Sequence, residues 1–276
     1  MKIDLHVHSS YSDGVHSPAG LVEIADDRDV IVLSIADHDC VDGVQEAIEA
    51  ARGRGIEVVS GVELSSEYQG RDLHILGYGF DPADTELREM LRRFRETREK
   101  RGLKIVENLQ EMGVELDPGD MLAKSKNGSL GRPHIAELLV EKGYVNNHSE
   151  AFARYLGEHS PAYVKKHKLT PQQAIGYIRT AGGLAFIAHP ANFLEEEPDI
   201  HELISYGFDG IEAIHPNHSD SDVTRLTTIA DKYGLLMSGG TDFHGFSGKN
   251  IPVGSLDIPM ELWSTLKTAL EKRRSA

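Results

Sequence analysis

IDLHVHSSYSDG, residues 3–14, is the stretch on which the fold turns. Ile3, Leu5 and Val7 alternate with Asp4, His6 and His8, and a strand sends alternate side chains to opposite faces. His6 and His8 then project together from one face, near the strand's C-terminal end. Ser9, Ser10, Ser12, Asp13 and Gly14 read as the loop beyond it. Two imidazoles and a carboxylate at a strand end suit a metal site, whereas the His-x-His pair taken alone fits an exposed polar strand face as well. Partners elsewhere in the chain decide between the two.

The same grammar recurs. Short apolar runs rich in β-branched residues occupy Ile3–Val7, Val30–Ile35, Glu57–Val62, Leu73–Tyr78, Leu184–Ala188, Gly210–Ile214 and Leu235–Ser238. Helical patterns lie between most of them. Ser17-Pro18 supplies an N-cap and a first-turn proline, Val44–Ala51 continues a helical pattern, and Thr170-Pro171 opens another helix. Strands alternating with helices predict a mostly parallel α/β architecture with right-handed crossovers. One link is too short for that. Leu64–Asp72 cannot hold the dozen or so residues of a parallel crossover, and Gln69-Gly70 looks like a turn. A long hairpin of Glu57–Tyr68 and Arg71–Phe80 is therefore expected. From Asp84 to Lys168 the signals are helical, over Glu86–Met112, Pro133–Lys142 and Ser149–Leu156. Residues 1–83 and 169–276 thus read as one α/β unit, and 84–168 as a helical insertion that caps its site.

Composition narrows the class of protein. Of 276 residues, 39% are apolar and 26% charged, which is ordinary for a globular chain. Cys40 is the one cysteine, so a disulfide within the chain and a thiolate zinc site are both excluded. No apolar run approaches the roughly 18 residues of a membrane span, and no apolar leader opens the sequence. A soluble cytoplasmic protein is expected. The net charge of −15 argues against double-stranded DNA or other non-specific nucleic-acid binding as the main task. A nucleotide substrate stays open, because bound cations change the local sign. Fourteen histidines make their placement informative.

That placement repeats. The second run ends in Ala36-Asp37-His38-Asp39, the third in Gly61-Val62-Glu63, and the fourth contains His74. The fifth ends in Ala188-His189-Pro190, the sixth in Ile214-His215-Pro216, and the seventh in Gly239-Gly240-Thr241-Asp242-Phe243-His244-Gly245. Active sites of α/β barrels and open sheets form at the C-terminal ends of strands. A parallel sheet would gather His6, His8, Asp13, His38, Glu63, His74, His189, Asp242 and His244 at one rim. Imidazoles and carboxylates without thiolate suit zinc, manganese or iron, and nine ligands exceed the needs of one ion. Single histidines at strand ends also satisfy loop backbone, but the repetition is hard to reconcile with that explanation.

D-L-H-V-H-S with S-D-G, A-D-H-D, G-V-E-L-S, H-I-L-G-Y, A-H-P and T-D-F-H-G resemble the PHP (polymerase and histidinol phosphatase) family over residues 4–245. The resemblance implies a distorted (β/α)7 TIM-like barrel and a metal-dependent phosphoesterase. It implies two or three divalent ions, manganese first, with zinc, iron(II) or magnesium as alternatives. His6 and His8 would hold one ion with Glu63 and Asp242. Glu63 would bridge to a second at His74 and His189, and Asp13, His38 and His244 would hold a third. His6, His8, Glu63, His189 and Asp242 form the catalytic set. Ions so held would neutralise the oxygens of a phosphate ester and lower the pKa of a bound water, and the resemblance implies attack on phosphorus by a metal-bridging hydroxide.

The insertion resembles that of stand-alone members acting on nucleotides and short RNA, through Gly131-Arg132-Pro133-His134-Ile135-Ala136 and Pro161-Ala162-Tyr163-Val164. Arg132 could grip a phosphate in bidentate fashion with His134 donating beside it, against a plain solvated helix start. His218, just past a strand end, is a further substrate contact, and His215 a supporting residue. Arg92, Arg93, Arg95, Arg98, Lys100, Arg101 and Lys104 are interleaved with glutamates and read as a solvated face of paired charges, with an RNA-guiding surface as the sharper alternative. Lys165, Lys166, His167 and Lys168 divide evenly between a backbone-phosphate contact and a linker. A 3′,5′-bisphosphate nucleotidase and a 5′→3′ exonuclease are the expected activities. Histidinol phosphate hydrolysis, metal-dependent C–N hydrolysis and a non-catalytic module are the rivals.

Overall fold

The computed structural model describes residues 2–124, 131–165, 168–192, 197–246 and 251–275. One sheet carries seven strands in sequence order: β1 (Lys2–Val7), β2 (Val30–Ile35), β3 (Glu57–Tyr68), β4 (Arg71–Tyr78), β5 (Leu184–Ile187), β6 (Gly210–Ile214) and β7 (Leu236–Gly239). The expected hairpin is there. β3 and β4 pair antiparallel from Gly61↔Tyr78 to Tyr68↔Arg71, around Gln69-Gly70, which both have positive φ. β4 is also antiparallel to β5, while every other neighbouring pair is parallel. The sheet is mostly parallel, with one reversed strand.

Its two edges meet just beyond β7. The Asp242 N–H donates to His6 O at 2.8 Å, and the His8 N–H donates to Phe243 O at 2.8 Å, in a parallel bridge between Val7 and Phe243. Gly240 makes this approach possible, since a Cβ there would lie 2.4 Å from the His6 backbone nitrogen.

Helices α1 (Pro18–Asp26) and α2 (Val44–Ala50) follow β1 and β2. Ser17 caps α1 by accepting the Gly20 N–H at 3.1 Å. Between β4 and α7 lie α3 (Thr85–Glu111), α4 (Pro118–Lys124), α5 (Arg132–Glu141) and α6 (His148–Ala151), the last passing into a π-helical turn at Phe152–Leu156. α7 (Pro171–Thr180) starts at a Thr170/Gln173 capping box, followed by α8 (Glu197–Ser205), α9 (Asp220–Tyr233) and α10 (Met260–Arg274).

α3 belongs to two cores. Its first half buries Leu87, Leu91 and Phe94 in a cluster with Val62, Leu64 and Ile75 of the hairpin and Ile175 and Ile178 of α7. Its second half buries Ile105, Val106 and Leu109 in a separate cluster with Met121, Ile135, Leu139 and Leu156. The 27-residue helix, about 40 Å long at 1.5 Å per residue, joins the sheet's cluster to that of the following helices.

Candidate active site

The chemistry sits at one rim of the sheet. His6 comes from β1, His8 from just past its end, Asp13 from the loop after it, and His38 from just past β2. Glu63 is within β3, His189 just past β5, and Asp242 and His244 just past β7. His74 arrives differently. Because β4 is reversed, its beginning lies at this rim, and His74 pairs in register with Ser65, two residues past Glu63. Asp39, His189 and Asp242 hold left-handed backbone, with φ of 48°, 29° and 49°. Non-glycine residues adopt that region rarely, and chiefly where surrounding structure enforces it.

Glu63 is the centre. It is 1% exposed, and its Oε2 lies 3.3 Å from His6 Nε2, 3.3 Å from His8 Nε2 and 3.1 Å from His38 Nδ1. Its Oε1 lies 2.7 Å from His74 Nδ1 and 2.9 Å from His189 Nε2. Asp242 Oδ1 lies 3.5 Å from His6 Nε2 and 3.0 Å from His8 Nε2. Asp13 faces His8 Nδ1 at 3.7 Å, His244 Nε2 at 3.4 Å and His38 Nε2 at 3.8 Å. Three groups have their donor atoms within 4.8 Å of one another: His6, His8, Glu63 and Asp242; His38, Glu63 and His74; and His8, Asp13, His38 and His244. His8 and His38 thus each turn one ring nitrogen to one group and the other nitrogen to the next.

Four of these atoms have no hydrogen-bond partner although buried: His8 Nδ1, Asp13 Oδ1, His38 Nδ1 and His74 Nδ1. A buried polar atom left alone is costly, and four that converge on shared carboxylates are explained together by divalent cations among them. The donor set therefore fits metal. Neighbouring groups fix the tautomers that metal requires. His6 Nδ1–H donates to Glu212 at 2.9 Å, leaving Nε2 for the cluster. His244 Nδ1–H donates to Asp242 O at 2.8 Å, leaving Nε2 toward Asp13. His215 Nδ1 accepts the Asn217 N–H, so its Nε2–H points at Asp242 Oδ2, 3.4 Å away.

Burial alone would raise the carboxyls of Glu63, Asp242 and Asp13, but the imidazoles around them hold all three well below the ordinary range. Burial alone would lower His6 and His8. For His6 the carboxylates of Glu212, Glu63 and Asp242 overcome it, and for His8 those of Asp242 and Glu63 do, raising its pKa to about 10. His38 goes the other way, to about 3, because burial outweighs its acidic neighbours; a neutral imidazole is the form a ligand needs. The rim is a well of negative charge that favours cations.

Supporting contacts keep the rim rigid. Asp37 accepts the Ser9 N–H at 2.7 Å and the Ser9 and Ser12 hydroxyls at 2.6 Å each, which pins the loop presenting Asp13. Asp37 is thereby engaged with serines and not with the cluster. Asp39 accepts from Ser65 and from Arg98, tying α3 to the hairpin. Glu212 was hidden from sequence reasoning. It accepts from His6 and also takes the His189 N–H at 2.7 Å. Its signal was a carboxylate in the middle of the otherwise apolar run Gly210–Ile214.

The expected substrate contacts divide. Arg132, the first residue of α5, donates to Leu156 O at 3.1 Å and lies 5.5 Å from the Phe152 ring and 5.7 Å from the Tyr163 ring. His134 Nδ1 accepts the Gly131 N–H at 3.0 Å, which leaves Nε2 as its donor. Burial lowers its pKa against the pull of the Asp13 charge. His218 spends both ring nitrogens on backbone, Nδ1–H to Ala213 O at 2.9 Å and Nε2 to the Ala191 N–H at 3.4 Å. On α3, Arg92, Arg93 and Lys104 pair with glutamates one turn away, and Arg95 pairs with Asp42. Lys168 pairs with Asp72 at 2.6 Å, Lys165 lies 3.6 Å from Glu67, and Lys166 and His167 lie outside the described residues. Cys40 is buried and its thiol is pushed up to about 12 by burial and the Asp37 charge, so it is inert.

With this geometry described, comparison with known proteins adds the lineage. The PHP domain family model matches residues 4–215. A 5'-3' exoribonuclease of Haemophilus influenzae is 37% identical, over 94% of this chain and 97% of its own. A 3',5'-nucleoside bisphosphate phosphatase of Chromobacterium violaceum is 36% identical, over 90% of each. Among solved structures, a protein of Bifidobacterium adolescentis assigned as a metal-dependent phosphoesterase superposes with a TM-score of 0.88 at 30% identity, covering 96% of this chain and 95% of that one. No helix among the described residues is long and apolar enough to cross a membrane.

Proposed function

The chain belongs to the PHP domain family, and on that premise we propose that its rim hydrolyses phosphate esters of nucleotides or short RNA. Its class is that of a metal-dependent phosphoric ester hydrolase, as the relatives' activities indicate. The nucleotide substrate rests on relatives named for an exoribonuclease and for a bisphosphate phosphatase, both matched along nearly the whole chain. We take the sheet as a distorted (β/α)7 barrel whose edges join through Val7 and Phe243, and residues 84–168 as the cap. We infer a location in the cytoplasm, the compartment in which such substrates arise.

The observation that carries the reading is the set of four buried, unpartnered ligand atoms on His8, Asp13, His38 and His74, around the shared carboxylate of Glu63. His6, His8, Glu63 and Asp242 would hold one divalent ion. Glu63 would share its other oxygen with an ion at His74 and His189, and Asp13, His38 and His244 would hold a third. Manganese leads the alternatives. When bound, such ions supply charge neutralisation of the phosphate oxygens and a water acidified toward neutrality. The chain's own residues do the rest. Glu212 orients His6, His215 orients Asp242, and His134 offers its Nε2–H from the cap. Arg132 offers a guanidinium beside it. His218 remains a candidate contact through movement of its ring off the backbone.

The test is turnover after chelation and Mn²⁺ addition, with adenosine 3′,5′-bisphosphate, a short 5′-phosphorylated RNA and histidinol phosphate in parallel. Release of phosphate or nucleotide from one of the first two is expected, falling about 10³-fold in His8→Ala as several kcal/mol of electrostatic stabilisation is lost. Turnover of histidinol phosphate alone, or metal binding without any hydrolysis, would contradict the nucleotide reading.

A further inference from the structure

One buried carboxylate of β1 lies outside the three ligand groups. Asp4, two residues before His6, has no exposed surface. Its Oδ1 accepts the Thr241 N–H at 3.0 Å and, at 3.4 Å, the His6 N–H. Its Oδ2 accepts the Thr241 hydroxyl at 2.7 Å and the Gly254 N–H at 2.9 Å. An ionised carboxyl accepts only, at about four lone-pair sites, and four donors match it. They come from three segments: β1 itself, the turn after β7, and the stretch leading to α10. Gly254 has a φ of 67°, and a Cβ there would lie 2.3 Å from Val30 Cγ2, so the chain reaches Asp4 at that point as glycine.

Asp4 thus bridges the seam at which the first strand meets the turn after the last. Its partner Thr241 is the chain neighbour of Asp242, whose backbone is left-handed at a φ of 49° and whose N–H donates to His6 O at 2.8 Å. His6 and Asp242 belong to one ligand group, with Nε2 and Oδ1 3.5 Å apart. One side chain therefore bears on the backbones that present two ligands of the same ion. His244 stands on the same turn and donates to Asp242 O, so the group of Asp13, His38 and His244 shares the dependence. The third set is attached elsewhere. Glu63, His74 and His189 come from β3, β4 and the end of β5, and none of these segments carries a partner of Asp4.

We propose that Asp4 is a positioning residue for the metal centre: it holds the seam so that His6 and Asp242 bear on one ion, and it has no such role for an ion at Glu63, His74 and His189. This rests on the metal-dependent reading of the rim and is independent of the substrate. Without the Asp4 carboxylate, the Thr241 and Gly254 N–H groups lose their acceptor. The turn after β7 is then no longer pinned, and Asp242 can leave its left-handed conformation. Glu63, His74 and His189 keep their places on the hairpin and β5. A residue that merely keeps the sheet closed would not discriminate between the ions.

The test compares the full chain with Asp4→Asn, Thr241→Val and Thr241→Ser. Mn²⁺ is titrated into each chelated protein by calorimetry, and the bound ions are located by anomalous diffraction at the manganese edge. Asp4→Asn keeps the shape but puts an amide NH₂ where a backbone N–H donates. Affinity for the ion at His6 and Asp242 should fall about 10–100-fold, as when a group that orients a metal ligand is removed, while the peak at Glu63, His74 and His189 persists. Thr241→Val removes only the hydroxyl and should give a smaller loss at the same ion, and Thr241→Ser, which restores the hydroxyl, should bind as the unaltered protein does. Equal loss of every ion in a folded Asp4→Asn protein would overturn the proposal. So would a lowered melting temperature with every ion still bound at full affinity. Should Asp4→Asn not fold, the threonine pair decides, and equal affinity in Thr241→Val and Thr241→Ser overturns the proposal. An unaltered protein with no manganese at Glu63 would sink the metal reading itself, and the proposal with it.

Discussion

The rim of the sheet and the helices of residues 84–168 both concentrate charge, and they treat it in opposite ways. At the rim, Glu63, Asp242, Asp13 and Glu212 are buried or half-buried among imidazoles, with Glu212 accepting from His6 and from the His189 N–H. In the cap, Arg101 and Arg132 share an aromatic ring and have no carboxylate between them. The negative well brings Glu63, Asp242 and Asp13 together with imidazole nitrogens in groups that could hold a metal ion. The difference follows from the backbone: the rim is built on adjacent strand ends of one sheet, the cap on helices that reach the sheet through α3.

That contrast can be broken at α3 first. Leu109 is fully buried in the cap's own cluster and Phe94 in the sheet's cluster. Truncating either to alanine should cost about 2–5 kcal/mol locally. Hydrogen exchange distinguishes them. Leu109→Ala should expose the amides of α5 and the second half of α3 while β1 to β3 stay protected, whereas Phe94→Ala should weaken both regions. Loss of protection throughout in Leu109→Ala would mean that the two clusters act as one unit.

A smaller effect sharpens the rim's half of the comparison. Glu212→Gln keeps a hydrogen-bond acceptor for His6 and removes the charge. Mn²⁺ affinity should fall about 10–100-fold, as for other carboxylates that orient a metal-binding histidine. An unchanged titration would reduce Glu212 to a packing role.

How much of this was legible in the sequence depends on the kind of interaction. The hairpin was legible because a nine-residue link, Leu64–Asp72, forbids a parallel crossover, and the turn fell at Gln69-Gly70 as its composition indicated. The ligand-type residues at strand ends were legible because strand periodicity and the C-terminal rim are local rules. The contribution of His74 depended on the reversal of β4, which follows from that hairpin once the topology is drawn. Glu212 was not legible, since a charge inside a strand has meaning only when the neighbouring strand shows what it faces. The fate of His218 depended on two backbone groups, at Ala191 and Ala213, which no motif specifies. Arg101 was read together with a basic stretch most of whose members are paired along the helix or with nearby loops. It stands out only when those pairs are accounted for and one guanidinium is left over.

The most direct test is diffraction from crystals soaked in Mn²⁺, with data collected at the manganese absorption edge. At least two anomalous peaks should appear at the rim, sharing Glu63, one of them ringed by His6, His8 and Asp242. Full soaking with no peak at Glu63, or with manganese elsewhere on the surface alone, would contradict a metal-centred hydrolytic site.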